Sequence, residues 1–214
     1  MTKRGNKARA REIVRRLDPL YVELTTGLNY SSPLELLVAT ILSAQCTDER
    51  VNMVTPALFA QFKSAQSYAS ADPQELETMI HSCGFFRNKT KNIQATAGAL
   101  VERFGDKVPA SMQELITLPG VARKTANVVL AHAFNRNEGV AVDTHVQRLS
   151  RRLGLSNQKE PQRIEADLMA LLPRELWGRT SDVLIWHGRR VCSARSPRCG
   201  ECVLADLCPS AGIV

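Results

Sequence analysis

The sequence predicts an all-α protein, on three observations. Apolar residues recur with the 3.6-residue period of an amphipathic helix along most of the chain, and no convincing alternating strand pattern is present. The 214 residues are 44% hydrophobic but only 5% aromatic, which is typical of helical globular proteins rich in alanine, leucine and valine. Prolines and glycines fall at the ends of the periodic segments, where helices begin and stop.

The helical period predicts twelve segments, which in chain order are 8–28, 33–45, 48–62, 65–69, 73–82, 87–104, 111–117, 122–134, 144–152, 160–171, 174–187 and 202–207. Ser32 and Asp72 each precede a proline, so each is predicted to cap a helix that starts with that proline. Residues 111–114 match a capping box. Glycines mark the predicted helix ends at Gly84, Gly105, Gly120, Gly139, Gly154 and Gly188.

The charge of the chain favours a polyanionic partner. The net charge is +7, and residues 1–17 hold seven cations and one acid, so most of the excess lies at the N-terminus. A solvated basic tail stays open as the simpler interpretation, and an organellar leader is not excluded. No apolar run reaches membrane-spanning length and no signal-peptide core is present, so we expect neither a membrane protein nor a secreted one.

A helical hairpin is predicted around Leu118, Pro119 and Gly120, with the second helix starting near Val121 or Ala122. The first backbone N–H groups of that helix lack partners within the helix, and they lie at the positive end of its dipole. Such a turn suits a DNA phosphate and reads no base sequence. An ordinary turn between two helices remains the alternative.

Lys124 and Asp143 are the candidate catalytic residues. Lys124 falls in the first turn of the second hairpin helix, where the dipole and the adjacent Arg123 favour a neutral, nucleophilic amine, whereas a free lysine titrates near ~10.4. Partial burial would favour the neutral form further. Asp143 follows an apolar run and precedes a predicted helix, so it is positioned as a helix N-cap and as a fixed carboxylate. A phosphate-contacting lysine and a purely structural cap are the alternatives.

Four cysteines crowd into a short C-terminal segment with the spacing C-x6-C-x2-C-x5-C: Cys192, Cys199, Cys202 and Cys208. Such clustering without an export signal predicts a metal site and not disulfides. Four thiolates suit tetrahedral zinc or a [4Fe–4S] cluster, and the compact spacing favours iron–sulfur. Arg195 and Arg198 lie in the first loop between ligands, where they could contact DNA phosphates or offset the negative charge of the cluster.

These motifs resemble the helix-hairpin-helix DNA glycosylases, and within them the endonuclease III group, which contains iron–sulfur. The resemblance covers nearly the whole chain and rests on residues 42–48, 84–86, 118–126 and 142–145 and on the spacing of the four cysteines. It implies two helical domains with a DNA-binding cleft between them. A six-helix barrel would span 25–136 and hold the hairpin at about 111–134. The second domain would join 1–24 to 137–214 and hold the cluster loop at 192–208.

The resemblance also implies base-excision repair by a bifunctional DNA glycosylase and AP lyase acting on damaged pyrimidines. Lys124 would attack C1′ of a flipped nucleotide, and Asp143 would stabilise the developing positive charge. A Schiff base would then lead to β-elimination and cleavage 3′ to the lesion. Gln45 would fill the gap left by the flipped base, and Phe85 would wedge beside the opposite strand. Without the resemblance, a helix-end amide and a core aromatic would be the expected roles of these two residues.

Two residues depart from the family pattern. Relatives usually have glycine where this chain has Ala122, and a positive φ there would cost alanine about 1 kcal/mol or more. We therefore expect a helical conformation at Ala122 and any left-handed geometry at Gly120. Phe85 is bulkier than the aliphatic residue often found at the wedge position, which bears on damage range and opposite-base preference and not on reaction class.

Three alternatives are weighed against this interpretation. The adenine-excising branch of the superfamily uses an early-helix glutamate, whose place is taken here by Thr40, and it lacks the nucleophilic lysine. The 8-oxoguanine branch shares the lysine and aspartate but usually lacks the four cysteines. A non-catalytic DNA-binding module would not need Lys124 and Asp143.

The resemblance implies one [4Fe–4S] cluster per chain and double-stranded DNA with damaged pyrimidines or abasic sites as the partner. We expect a monomer that does not engage membranes and works in a bacterial-type cytoplasm at the nucleoid.

Overall fold

The protein is helical, as the sequence predicts. A computed structural model describes residues 3–213, with side chains from residue 6 onward, and no β-strand occurs in that part of the chain. The α-helices of the described residues are α1 Lys3–Leu17, α2 Pro33–Leu42, α3 Asp48–Gln61, α4 Ala65–Ala69, α5 Pro73–Ile80, α6 Phe86–Phe104, α7 Met112–Leu115, α8 Arg123–Phe134, α9 Thr144–Arg152, α10 Pro161–Leu171 and α11 Trp177–Arg190. Short 3₁₀ turns cover Asp18–Leu20, His81–Cys83, Arg174–Leu176, Cys199–Glu201 and Ala205–Leu207.

The chain divides into two compact units, Gly27–Asn135 and Met1–Thr26 with Arg136–Val214. In the first, the long helix α6 packs against α2, α4 and α5, and α2 packs against α8. Its core is aliphatic and includes the fully buried Leu36, Leu37, Leu42, Leu58, Ile93, Leu100 and Leu115. Helix α6 therefore contacts three other helices of the unit that carries the hairpin.

The other unit packs α1, α9, α10 and α11 around Ile13, Leu17, Leu149, Leu168 and Leu184. Two arginines of α1 hold the cysteine-bearing segment of this unit. Arg16 donates to the backbone oxygen of Val203 at 3.0 Å and pairs with Asp206 at 2.6 Å, and Arg9 donates to the backbone oxygen of Leu207 at 3.3 Å. Part of the predicted basic tail is thus structural, and the side chains of Lys3 and Arg4 lie outside the described part of the chain.

Several expectations about where helices begin and end are wrong, among them the one for Gly139, which lies beyond α8 because that helix ends at Phe134. The predicted helix 8–28 ends at Leu17, because the following Asp18 and Pro19 form a 3₁₀ turn. The predicted helix 202–207 does not form; 3₁₀ turns replace it where the cysteines bend the chain. Gly188 lies inside α11, where an added Cβ would lie 2.9 Å from the Nδ1 atom of His145, so close packing explains this glycine.

The predicted caps are mostly confirmed. The Ser32 side chain accepts a hydrogen bond from the Glu35 N–H at 3.2 Å, and Asp72 accepts one from the Gln74 N–H at 3.0 Å. Ser111 caps α7, but only its own half of the predicted capping box is found among the described residues. No helix in the described part of the chain has both the length and the apolar character that crossing a membrane requires.

Candidate active site

The turn between α7 and α8 is held by contacts with α6. Gly120 has a φ of 74°, in the left-handed region, and a Cβ placed on it would lie 2.9 Å from the Cβ of Asn92. The Thr96 hydroxyl donates to the backbone oxygen of Pro119, and the Val121 N–H donates to that of Leu118 at 3.1 Å. Glycine is required here both for backbone conformation and for the close approach of α6.

Replacing Gly120 with alanine should destabilise this turn. The left-handed conformation costs an alanine about 1–2 kcal/mol, and overpacking against Asn92 adds a cost of the same order. We expect Gly120→Ala to lower the free energy of unfolding by about 2–4 kcal/mol in urea titrations and to weaken duplex binding. The matched change Ala122→Gly should alter stability by no more than about 1 kcal/mol. Equal effects of the two changes would contradict this account of the turn.

Ala122 is the N-cap of α8 and is extended, with φ −82° and ψ 165°. The expectation of a helical conformation is wrong, because the chain enters α8 from an extended residue; the expectation that Gly120 carries the left-handed geometry is confirmed. Alanine offers no side-chain acceptor, and no side chain caps α8 at this residue. The first-turn N–H groups of α8 therefore have no capping side chain at this position and suit a phosphate oxygen.

Lys124 is exposed in the first turn of α8, beside the half-buried Arg123. Its side chain makes no hydrogen bond or ion pair with the described residues. The helix instead buries its opposite face, through Ala126, Val129 and Leu130. The partial burial considered from the sequence is not found, and Lys124 presents its amine to solvent.

Asp143 is the N-cap of α9, as the sequence predicts. It is half-buried, and its Oδ1 accepts a hydrogen bond from the Val146 N–H at 2.8 Å. The cap fixes the orientation of the carboxylate, while Oδ2 has no hydrogen bond within the described residues. One oxygen is therefore structural and the other is available to a bound molecule.

His145 packs against α11 and is not placed as a general base. Its Nδ1 lies 3.1 Å from Nη2 of Arg148, in the space that Gly188 leaves open. Burial lowers the pKa of His145, and the positive charges of Arg148 and Arg189 lower it further, against the opposing effect of Asp143. This environment is that of a packing histidine.

Gln45 and Phe85 stand at two exposed loops with unusual backbone. Both have positive φ values, 54° and 47°, although neither is glycine. The Phe85 side chain is 69% exposed, so the alternative of a core aromatic is wrong. Residues held in the left-handed region at a cost of about 1–2 kcal/mol often mark functional positions. The structure thus presents an amide and an aromatic ring to solvent from the unit that also carries Lys124.

The four C-terminal cysteines line a common cavity of about 30 Å³. A cavity of this volume exceeds the roughly 10–15 Å³ that one water needs, so it admits more than a single atom. Among the described residues, no three His, Cys, Asp or Glu side chains converge on a point that could bind a single ion. Thiols arranged around a shared apolar space fit a multi-iron cluster.

Burial raises the pKa of the Cys202 and Cys208 thiols, and the neighbouring cysteines of the group add to the rise. Bound iron would supply the positive charge that holds these sulfurs as thiolates.

Three residues around the cysteines were missed from the sequence. On α9, Arg152 donates to the Cys192 sulfur at 3.3 Å and to the Ser193 oxygen at 2.7 Å, and Arg148 donates to the Cys192 oxygen at 3.0 Å. His187 lies fully buried with Nε2 3.3 Å from the Cys202 sulfur. The only signal in the sequence was the i, i+4 spacing of the two arginines, which places them on one helix face.

The two loop arginines behave differently. Arg195 is exposed and forms no hydrogen bond or ion pair with the described residues. Arg198 donates to the Arg190 backbone oxygen and pairs with Glu201 at 3.2 Å, so its guanidinium already helps to shape the loop. Arg195 is therefore the better placed of the two for a phosphate.

Comparisons with known proteins agree on one family. The family model described as "HhH-GPD superfamily base excision DNA repair protein" matches residues 38–174. The family model described as "Iron-sulfur binding domain of endonuclease III" matches residues 192–208. Endonuclease III of Synechocystis is 61% identical over 97% of this chain and 94% of its own length. The Escherichia coli K12 enzyme is 40% identical over 95% and 96%. The solved structure of a trapped endonuclease III–DNA covalent intermediate with estranged adenine superposes with a TM-score of 0.90 at 39% identity, covering 99% of this chain and 97% of that one.

Proposed function

The chain belongs to the endonuclease III family of HhH-GPD base excision DNA repair proteins, and we propose that Lys124 and Asp143 carry out its reaction. The protein is a DNA glycosylase with associated AP lyase activity. The observation that carries the assignment of the nucleophile is an exposed amine without a partner among the described residues, in the first turn of a hairpin helix whose N-terminus has no side-chain cap. Asp143 supplies the carboxylate, whose Oδ2 has no hydrogen bond within the described residues.

The proposed reaction starts on a nucleotide turned out of the duplex, because its sugar carbon is out of reach while the base is stacked. The Lys124 amine forms a bond to C1′ as the bond from C1′ to the base breaks, and the base leaves as an anion that takes up a proton from water. The free oxygen of Asp143 stabilises the positive charge on the sugar and accepts a proton from the attacking amine. Opening of the sugar ring gives a Schiff base between Lys124 and C1′.

The Schiff base acidifies the C2′ hydrogen. Loss of that proton and of the 3′ phosphate breaks the C3′–O bond, which is β-elimination, and water then releases Lys124. The covalent intermediate named for the solved relative is the kind of adduct this scheme forms with DNA.

The proposed DNA contacts come from the hairpin turn, from the loops at Gln45 and Phe85, and from the cysteine loop. The N–H groups at the start of α8, together with Gly120, Ala122 and Arg123, bind a phosphate without reading sequence. Gln45 enters the space vacated by the flipped base, and Phe85 stacks beside the opposite strand. Arg195 contacts the backbone, and Arg198 fixes the loop from which Arg195 projects.

Damaged pyrimidines and abasic sites are the proposed substrates. We expect duplexes with thymine glycol or an abasic site to be cleaved, and matched duplexes with 8-oxoguanine opposite cytosine to be cleaved at least about tenfold more slowly. Single-turnover gel assays over several opposite bases measure this directly. Faster release of the purine lesion would contradict the proposed substrate class.

Cys192, Cys199, Cys202 and Cys208, which line one common cavity, would hold the [4Fe–4S] cluster. The cluster would supply a rigid crosslink for the loop that presents Arg195.

Removing one cluster ligand should abolish the iron centre. The purified protein should absorb broadly near ~400 nm through iron–thiolate charge transfer. Cys202→Ala should lose this band. It should also lose several kcal/mol of folding free energy that metal binding contributes, which should lower Tm by roughly 10 °C or more. Cys46→Ala, outside the cluster, is the matched control and should keep the band. Colourless protein with stoichiometric zinc would overturn the assignment.

The protein is further proposed to act as a monomer in the cytoplasm of a bacterium, at the nucleoid. The named relatives from Synechocystis and Escherichia coli are bacterial, and each unit has its own hydrophobic core.

A further inference from the structure

Two cysteines outside the cluster meet beneath the loops that carry Gln45 and Phe85. Cys83 is 2% exposed, and Cys46 packs half-buried against the same core. The two thiols interact, and the turn that ends at Cys83 packs against α3, which begins two residues after Cys46. Cys46 directly follows Gln45, and Cys83 is separated from Phe85 by Gly84 alone. A sulfur contact therefore joins the two segments with left-handed backbone.

A buried ammonium accompanies this thiol pair. Lys89 of α6 is only 4% exposed, and its Nζ donates to the backbone oxygen of Cys83 at 2.8 Å. Burial lowers the pKa of Lys89, and the sulfurs of Cys46 and Cys83 act in the opposite direction. A buried cation is costly unless it is paired, and the charge of Lys89 opposes part of the rise in the pKa of Cys83.

The two thiols have different roles in this environment. Burial and the proximity of Cys46 raise the pKa of Cys83 to about 11, so Cys83 stays protonated at neutral pH. Cys46 is the more exposed of the two and is the thiol that a small oxidant reaches first. A more exposed thiol backed by a second one is the usual arrangement of a redox-sensitive pair.

We propose that Cys46 and Cys83 form a peroxide-sensitive thiol pair whose disulfide alters the two DNA-inserting segments. The Cys46 thiolate attacks one oxygen of hydrogen peroxide, the O–O bond breaks, and sulfenic acid and hydroxide result; hydroxide takes up a proton as water. The Cys83 sulfur then displaces the sulfenic oxygen, which leaves as a second water. Overall, two thiols and one hydrogen peroxide give one disulfide and two waters.

The disulfide changes the geometry of the loops. A sulfur–sulfur bond is about 2.05 Å long, which is shorter than any contact between two unbonded thiols. The two segments must therefore move toward each other when the disulfide forms. This consequence rests on the proposed roles of Gln45 and Phe85 in DNA binding. A displacement of the order of 1 Å in positioning residues can slow a reaction by about 10²-fold, and we expect oxidation to slow excision of thymine glycol about tenfold or more.

The test treats the cluster-loaded protein with low hydrogen peroxide while the ~400 nm band reports on the cluster. A non-reducing digest should yield a crosslinked peptide containing Cys46 and Cys83, with the loss of two hydrogens. Excision should slow while the ~400 nm band is kept, and dithiothreitol should restore the rate of excision. Cys46→Ala and Cys83→Ala should each keep full excision after the same treatment, and Cys83→Ala should give a dimedone adduct at Cys46.

Absence of the crosslinked peptide at peroxide levels that leave the cluster intact would overturn the proposal. Equal slowing of wild type and both alanine variants would also overturn it, because the loss would then arise elsewhere. The reduced wild-type protein distinguishes failure of this proposal from failure of the proposed function. If the reduced protein does not excise thymine glycol, the proposed function is wrong. The presence or absence of the crosslinked peptide tests the thiol pair independently of excision.

Discussion

Replacing Lys124 with alanine is expected to lower single-turnover excision of thymine glycol by at least ~10³-fold, because the nucleophile is lost and not merely a contact. Lys124 is exposed and has no partner within the described residues, so the change should leave the fold intact. Tm should stay within about 2 °C of wild type, the usual range for an exposed position.

Lys124→Arg separates the nucleophile from a phosphate contact. Arginine keeps the positive charge but is always protonated and cannot attack C1′. We expect Lys124→Arg to bind duplex DNA with a Kd within about threefold of wild type and to be as inactive as Lys124→Ala. Recovery of most of the activity with arginine would show that Lys124 only contacts a phosphate.

Asp143→Asn is expected to slow excision by about 10²–10³-fold, since it removes the charge that stabilises the positive sugar. Asparagine caps helices about as well as aspartate, so the bond from the Val146 N–H is kept and stability should change little. The effect should appear in the rate at saturating enzyme and not in the Kd for abasic duplex.

The matched change Asp143→Ala removes both functions of the carboxylate. It should show the same loss of rate together with a loss of about 1 kcal/mol of unfolding free energy, measured in urea. An active Asp143→Asn protein alongside a destabilised Asp143→Ala protein would reduce Asp143 to a helix cap.

Local signals were enough to place the catalytic candidates. The cap at Asp143 follows from a short polar residue ahead of an amphipathic helix, and the position of Lys124 in the first turn of α8 follows from the glycine turn ahead of that helix. Helix α4 and helix α9 also begin and end where the period of the sequence predicts. These features depend on a few residues that are neighbours in the chain, so they can be predicted from the sequence alone.

Features that depend on distant residues could not be predicted. Gly188 was assigned to a helix end, but it lies mid-helix because His145 packs over it. The bonds from Arg152 to the cysteine loop join residues about forty positions apart. The contact between Cys46 and Cys83 likewise exists only once α3 and the turn before Gly84 have packed. Chain topology, and not local preference, decides such contacts.

The central claim, that Lys124 forms the Schiff base, is tested most directly by borohydride trapping on an abasic duplex followed by peptide mapping. Borohydride reduces the imine to a stable amine, so the DNA stays on the residue that attacked. We expect one crosslinked peptide, with the DNA attached at Lys124, and none from Lys124→Ala. A crosslink at another amine, or none while the duplex is bound normally, would contradict the assignment.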